Sequence, residues 1–190
     1  MGVRKTADSH WPAHFVDQAL QLVDAPVESV FWDIKHRDVW DIDIGNYAKL
    51  MISFANDVLY QIDISNLCAA PKPRWFVAGT QGALVKYGID PQESAMREGH
   101  IEATEQDPAN YARLYTVKDG ERREEVIEPV RTSWTAYCRN IARALQGEEE
   151  LAVKPEEMLQ LMEVYDAAMA SAASGDVVWL RCGKSVVPGG

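Results

Sequence analysis

Cysteine is scarce in this sequence of 190 residues, and the three present, Cys68, Cys138 and Cys182, lie far apart. An odd count without close pairs is neither a disulfide framework nor a zinc cluster, and a reducing cytoplasm is the simplest setting for it. Positive charge is also short: 19 Lys and Arg stand against 29 Asp and Glu, a net charge of −10. The only basic clusters are Arg4-Lys5 and Arg122-Arg123, and Glu121, Glu124 and Glu125 flank the second. Phosphate backbones and anionic bilayers require a positive counter-surface, so neither nucleic acid nor a membrane is expected as a partner. Charges interrupt every apolar run before it reaches the length of a bilayer span. The first nine residues have no apolar centre, so no secretory signal is expected there. Internal repeats and low-complexity tracts are missing too. So are Gly-x-Gly-x-x-Gly, the Gly-x-x-x-x-Gly-Lys-[Ser/Thr] loop, the Gly-x-Ser-x-Gly elbow and the His-Glu-x-x-His helix. The strand–glycine–helix seat for a dinucleotide is therefore not expected in this chain.

What is present is an ordinary globular composition, 47% hydrophobic and 25% charged, enough for one domain with a sizeable core. Phe15, Val16, Ala19, Leu20 and Val23 form an apolar stripe at helical spacing, which predicts a helix near Ala13–Val23 behind Pro12. From Val27 to Val130 the pattern changes to short runs rich in β-branched and aromatic residues, predicting strands at Val27–Arg37, Tyr47–Phe54, Val58–Ser65, Arg74–Ala78 and Ala83–Tyr87. Tyr60, Ile62 and Ile64 alternate with polar neighbours, as in a half-buried strand. Asn56-Asp57 and Lys118-Asp119-Gly120 are hairpin signals, the second between strands Tyr111–Val117 and Arg122–Ile127. A helix capped by Thr132 or Ser133 follows, with Trp134, Cys138, Ile141 and Leu145 as its expected buried stripe. Pro155-Glu156-Glu157 opens another helix, whose apolar stripe is Met158, Leu161, Tyr165, Ala168 and Met169. A last strand is expected within Val177–Leu180. The order predicts an α+β fold: one large, mainly antiparallel open sheet with helices on one face. The other face, if it carries side chains such as Trp32, Tyr60 and Tyr115, is expected to be buried in a homodimer.

Candidate chemistry concentrates on the polar face of the first helix, where His14, Asp17, Gln18 and Gln21 recur at three- and four-residue steps. Imidazole is the side chain suited to proton exchange near neutral pH, and Asp17, one turn on, is placed to orient it. A solvent-facing helix start with a chance histidine explains the same spacing. His10 and His14, four apart, invite a metal, but a third ligand is wanting and Pro12 disturbs the register between them. His36 and His100 read as surface or strand residues. Lys86 and Tyr87, at a strand end before a Gly-Ile-Asp-Pro turn, either line a pocket or simply end a solvated strand. Trp134 with Tyr137, and Met158 with Met162 and Met169, read as core packing.

Three segments resemble a known family. His14-Phe15-Val16-Asp17-Gln18-Ala19-Leu20-Gln21-Leu22 is similar to the catalytic-helix segment of the Gfo/Idh/MocA oxidoreductases. Trp75-Phe76-Val77-Ala78-Gly79-Thr80-Gln81-Gly82-Ala83-Leu84-Val85-Lys86-Tyr87-Gly88-Ile89-Asp90-Pro91-Gln92-Glu93 is the more specific match. The third runs from Ser133-Trp134-Thr135-Ala136-Tyr137 through Asn140-Ile141-Ala142 to Val153-Lys154-Pro155-Glu156-Glu157. The resemblance covers the chain from about Trp11 to Val178. It implies the C-terminal α+β domain of an enzyme whose N-terminal Rossmann domain seats NAD or NADP and whose substrates are sugars, inositols and related polyols. It implies that His14 exchanges a proton with the substrate hydroxyl and that Asp17 faces substrate, with Gln18, His10 and Lys86 as further candidates for the substrate pocket. It also implies an oligomer through the sheet. No cofactor site is expected within the chain itself. The boundaries that follow are 1–9 for an unmatched segment, 10–181 for the α+β domain and 182–190 for a tail.

Two departures stand out. The nucleotide-binding domain and the lysine of the family's Glu-Lys-Pro motif are not in the chain. Where such members usually read Asp-Trp-Gly-x-His, this chain reads His10-Trp11-Pro12-Ala13-His14. Two expectations follow: the substrate half of a dehydrogenase, inert alone because the hydride carrier has no seat, or a non-catalytic dimerising or sugar-binding module that kept the fold. An excised piece, a truncated gene product and one partner of a split enzyme all satisfy the first.

Overall fold

A computed structural model describes residues 11–39, 45–100, 105–131 and 133–180, with only the backbone of residues 11 and 12. The chain divides into two compact units, residues 1–68 with 153–190 and residues 69–152.

The first unit contains helix α1 (Trp11–Leu22), strands β1 (Val27–Lys35), β2 (Tyr47–Phe54) and β3 (Leu59–Ser65), and, from the far end of the chain, helix α4 (Pro155–Ser174) and strand β8 (Val178–Trp179). The strands form an antiparallel sheet in the order β3-β2-β1-β8. Its register puts Trp32 opposite Leu50 and Leu50 opposite Ile62, with Val30, Ile52 and Tyr60 in the next row. These side chains share one face by strand alternation, and α1 and α4 cover it with Val16, Ala19, Leu161, Val164 and Ala168. Trp32, 1% exposed, meets the edge of Tyr165 with ring centroids 5.9 Å apart. Trp32 and Tyr60 therefore look inward at helices, which corrects the expectation that they furnish a second, association-prone face. The outer face is mixed, with Lys35 against Asp33 and Lys49 facing Asp63.

Two polar devices finish this unit. The buried Asn46 accepts from the Arg37 amide through Oδ1 (2.9 Å) and donates Nδ2 to the Arg37 carbonyl (2.7 Å), closing the β1–β2 connection. Ser171 of α4, fully buried, accepts from the Trp32 amide (2.9 Å) and donates to the Asp176 carbonyl (2.6 Å). One hydroxyl thus ties the helix to the centre of β1 and to the turn before β8. Replacing Ser171 by alanine strands the buried Trp32 N–H and removes the tie to the exposed Asp176, so the variant is expected to lose about 1–3 kcal/mol in urea unfolding.

The second unit is a meander of β4 (Trp75–Gly79), β5 (Gly82–Lys86), β6 (Ala112–Lys118) and β7 (Glu121–Ile127), all antiparallel in that order, with helices α2 (Gln92–Arg97) and α3 (Thr135–Leu145). The expected Lys118–Gly120 hairpin is a two-residue turn with Asp119 at φ 57° and Gly120 at φ 79°. That pair of left-handed residues matches the strand twist. A Cβ at Gly82 would lie 2.4 Å from the Tyr115 carbonyl oxygen, so β5 approaches β6 closely only with glycine there. The sheet's edges differ: β7 carries Glu121, Arg122, Arg123, Glu124 and Glu125, and β4 carries no charge.

The α+β class and the antiparallel pairing agree with the sequence, and α1 and α4 do lie on one face of their sheet. The strands, however, pair as two ladders of four where a single sheet was expected. The stripe Trp134, Cys138, Ile141 and Leu145 is not buried: Leu145 is 84% exposed, Trp134 and Cys138 are exposed, and Ile141 is half-buried. Tyr137, Met162 and Met169 are likewise exposed, whereas Met158 packs on the core. Periodicity reports that a helix has an apolar face; it is silent on whether the covering surface belongs to the same chain. No helix among the described residues is long and apolar enough to cross a membrane.

Candidate functional site

Helix α1 is fixed by its inward stripe: Val16 and Ala19 are fully buried, and Phe15, Leu20 and Val23 pack against the same core. The 3.6-residue period then carries His14 to the opposite side, where it is exposed, with Asp17 one turn further and half-buried. Gln18, also half-buried, has a side-chain Oε1 that is buried without a hydrogen-bond partner. His14, Asp17 and Gln18 thus lie on one short stretch of helix, away from the stripe that faces the core. His10 lies outside the described residues. Among the described residues no group of three His, Cys, Asp or Glu side chains is placed to hold a metal ion.

Lys86 belongs to the other unit and has a setting of its own. It closes β5, half-buried, and its ammonium donates to the Tyr87 carbonyl at 3.2 Å. Burial pushes its pKa below the ordinary lysine range, the nearby Arg74 guanidinium adds to that shift, and Asp90 opposes it. Asp90 is the hub of this corner. Its Oδ1 accepts from the Gln92 amide (2.9 Å) and its Oδ2 from the Trp134 indole (3.2 Å). Gln92, only 3% exposed, donates to both Asp90 oxygens and accepts from the Trp134 amide at 3.0 Å. Reading the sequence missed this corner. Its signal was Asp90-Pro91-Gln92, an aspartate placed to bond the amide two residues on, but nothing local announces Trp134 as the partner.

The same unit has an open basin of about 900 Å³ on one face of its sheet. Strand register places Phe76 beside Val85, Val85 beside Arg113, Tyr115 beside Glu124 and Val117 beside Arg122. Arg113 pairs with Glu124, and Arg122 sits over the Tyr115 ring, 4.6 Å from its centroid. Phe76 is 67% and Val117 70% exposed. Tyr115 does therefore lie on an uncovered sheet face, unlike Trp32 and Tyr60.

A dinucleotide seat of the strand–glycine–helix kind needs parallel strands joined by a crossover helix. Every described strand pair is antiparallel, so the described residues do not fit NAD or NADP in that manner.

This architecture and this helix define the C-terminal alpha/beta domain of the oxidoreductase family named for Gfo, Idh and MocA, whose family model matches residues 4–180, and the chain belongs to that family. Among curated proteins it is 27% identical over 177 residues to the scyllo-inositol 2-dehydrogenase (NADP(+)) IolW of Bacillus subtilis, covering 89% of this chain and 48% of that protein. It is 30% identical over 167 residues to the uncharacterised oxidoreductase YdgJ of Escherichia coli, covering 84% of this chain and 46% of that one. The chain thus spans about half the length of the curated relatives it matches. Among solved structures, an oxidoreductase from Bacillus cereus superposes with a TM-score of 0.82 at 22% identity, over 97% of this chain and 63% of that one. At that identity the likeness speaks for the fold alone.

Proposed function

We propose that this chain is the substrate-binding half of a nicotinamide-dependent dehydrogenase acting on a sugar or polyol, and that it does not turn over by itself. The observation that carries the reading is the polar side of α1, with His14 open to solvent, Asp17 one turn on and the orphaned Gln18 oxygen beside them. His14 gives or takes the proton at the reacting hydroxyl, and Asp17 orients the imidazole. Nicotinamide, when bound by a complementary half, supplies the hydride acceptor; in IolW the cofactor is NADP, as its name states. Titrating the chain into NADH or NADPH while following nucleotide fluorescence is expected to give no saturable change. Micromolar saturation would end the claim that the carrier sits elsewhere.

Self-association belongs to the same proposal. The exposed face holding Phe76, Val85, Tyr115 and Val117 is apolar, with the Arg113–Glu124 pair and Arg122 within it, and a second copy presents the same groups by symmetry. Light scattering is expected to give twice the chain mass of 21.3 kDa. Phe76→Asp is expected to weaken the dimer by about a hundredfold or more, because it removes a large apolar side chain and buries a carboxylate beside Val85 at a cost of several kcal/mol. An unchanged dimer in that variant would move the interface elsewhere. The second reading, a binding module without chemistry, draws on His10 and Pro12 standing where the family pattern has Asp and Gly.

A further inference from the structure

The basin on the second unit has both a hollow and a charge. Rows of side chains cross the strands on that face, and the register gives their order. Ala78 stands opposite Ala83, and Ala83 beside Tyr115. The row before them places Phe76 opposite Val85, and Val117 lies beyond Tyr115 on β6. Two methyl groups between rows of larger side chains leave a depression, and Phe76, Tyr87 and Tyr115 are the aromatic residues nearest to it in a basin of about 900 Å³. Small-molecule sites span about 300–1,000 Å³ and are mainly apolar, with a few placed polar groups. Here the charged groups are two guanidiniums of different standing. Arg113 is neutralised by Glu124. Arg122 lies 4.6 Å from the Tyr115 ring centroid and has no ion pair among the described residues. A guanidinium held over a ring keeps its N–H donors, a planar fork that matches a carboxylate.

We propose that this basin is a binding site for a small aromatic carboxylate, its ring laid over Ala78 and Ala83 and its charge met by Arg122. Charge and shape together select that class. One unpaired cation suits one negative charge; a phosphate dianion would leave half of its charge unmatched beside Glu124, in a chain of net charge −10. A planar ring gains stacked or edge contacts with Phe76 and Tyr115 that an aliphatic acid of equal charge lacks. Every residue lining the basin belongs to residues 69–152, so the site is complete within one unit. The site stands apart from the substrate-half reading. Its overlap with the self-association face rests on the dimer proposed above, where ligand and second copy exclude each other.

The probe is 2-naphthoate, followed by equilibrium dialysis against the whole chain, with 2-naphthamide as its neutral counterpart. Saturable uptake of one naphthoate per chain is expected, with the amide bound at least about tenfold more weakly. Arg122→Gln is expected to weaken naphthoate by about tenfold or more and to leave the amide where it was. Arg123→Gln removes the same charge one position on, where strand alternation turns the side chain to the opposite face, and is expected to change neither. Both arginines are exposed, so neither variant disturbs a core. Uptake that never saturates, or that the two variants weaken alike, overturns the site. Light scattering separates this outcome from the dimer: saturating naphthoate is expected to bring the mass down toward the 21.3 kDa of one chain. Arg122-dependent uptake with the mass unchanged upholds the site and places self-association on another face.

Discussion

Joined to a nicotinamide-seating half, the chain is expected to lose about 10²- to 10⁴-fold in kcat when His14 is replaced by alanine, with a much smaller change in KM. The size of the effect follows from the role. A ring on the solvent side of α1 contributes little to folding, since the helix is secured by Val16 and Ala19 from below. Its removal deprives only the transition state, where the proton is in flight, and so reads out in turnover rather than in binding. Imidazole added to the buffer is expected to restore part of the lost rate, because the vacancy left by the ring is open. Asp17→Asn, which disturbs orientation alone, is expected to cost less. A joined enzyme that runs as fast without His14 as with it would favour the non-catalytic module.

The largest stability effect is expected at Trp32. Truncation to alanine empties the centre of the first unit beneath α4 and removes the edge contact with Tyr165. Large-to-small changes of this type cost about 3–5 kcal/mol, against a total of about 5–15 kcal/mol for an ordinary domain. Guanidinium unfolding is expected to show the midpoint falling accordingly, and Trp32→Phe is expected to recover more than half of the loss. A cost under about 1 kcal/mol would mean that the core closes over the gap, contrary to its close packing.

Much of this was written in the sequence because it is local. The stripe of α1, the alternation in Tyr60-Ile62-Ile64, the Asp119-Gly120 turn and the proline-acid start of α4 each depend on neighbours within a few positions, and each has the expected structure. That His14 and Asp17 fall on the same helix one turn apart was legible for the same reason. What failed was anything decided across distance. Whether Trp32 and Tyr60 belong to an outer face stayed open in the sequence, because alternation tells which residues share a side, not which side the helices cover. The four-residue step of α3 was taken as a buried seam, although its covering surface is not among the described residues. The first ladder is completed only where β1 finds β8, a partner some 150 residues away by the numbering of Ser29 and Trp179. The Asp90–Gln92–Trp134 corner needed contacts spanning 42 and 44 positions. One feature was within reach: the Asp119-Gly120 turn fixes Tyr115 opposite Glu124 and Val117 opposite Arg122, so the charge pattern of the basin follows from counting back along both strands.

The contrast between the two margins of the second sheet bears on how the free chain behaves in storage. Along β7 a run of mixed charges repels any incoming strand, while Trp75-Phe76-Val77-Ala78-Gly79 carries no charge within the strand itself. Such a rim templates cross-β growth once neighbours are crowded enough to meet it. Concentrated stocks of the isolated chain are therefore expected to age by strand addition at β4, read as a slow rise in thioflavin fluorescence, and a lysine written into that strand is expected to slow it.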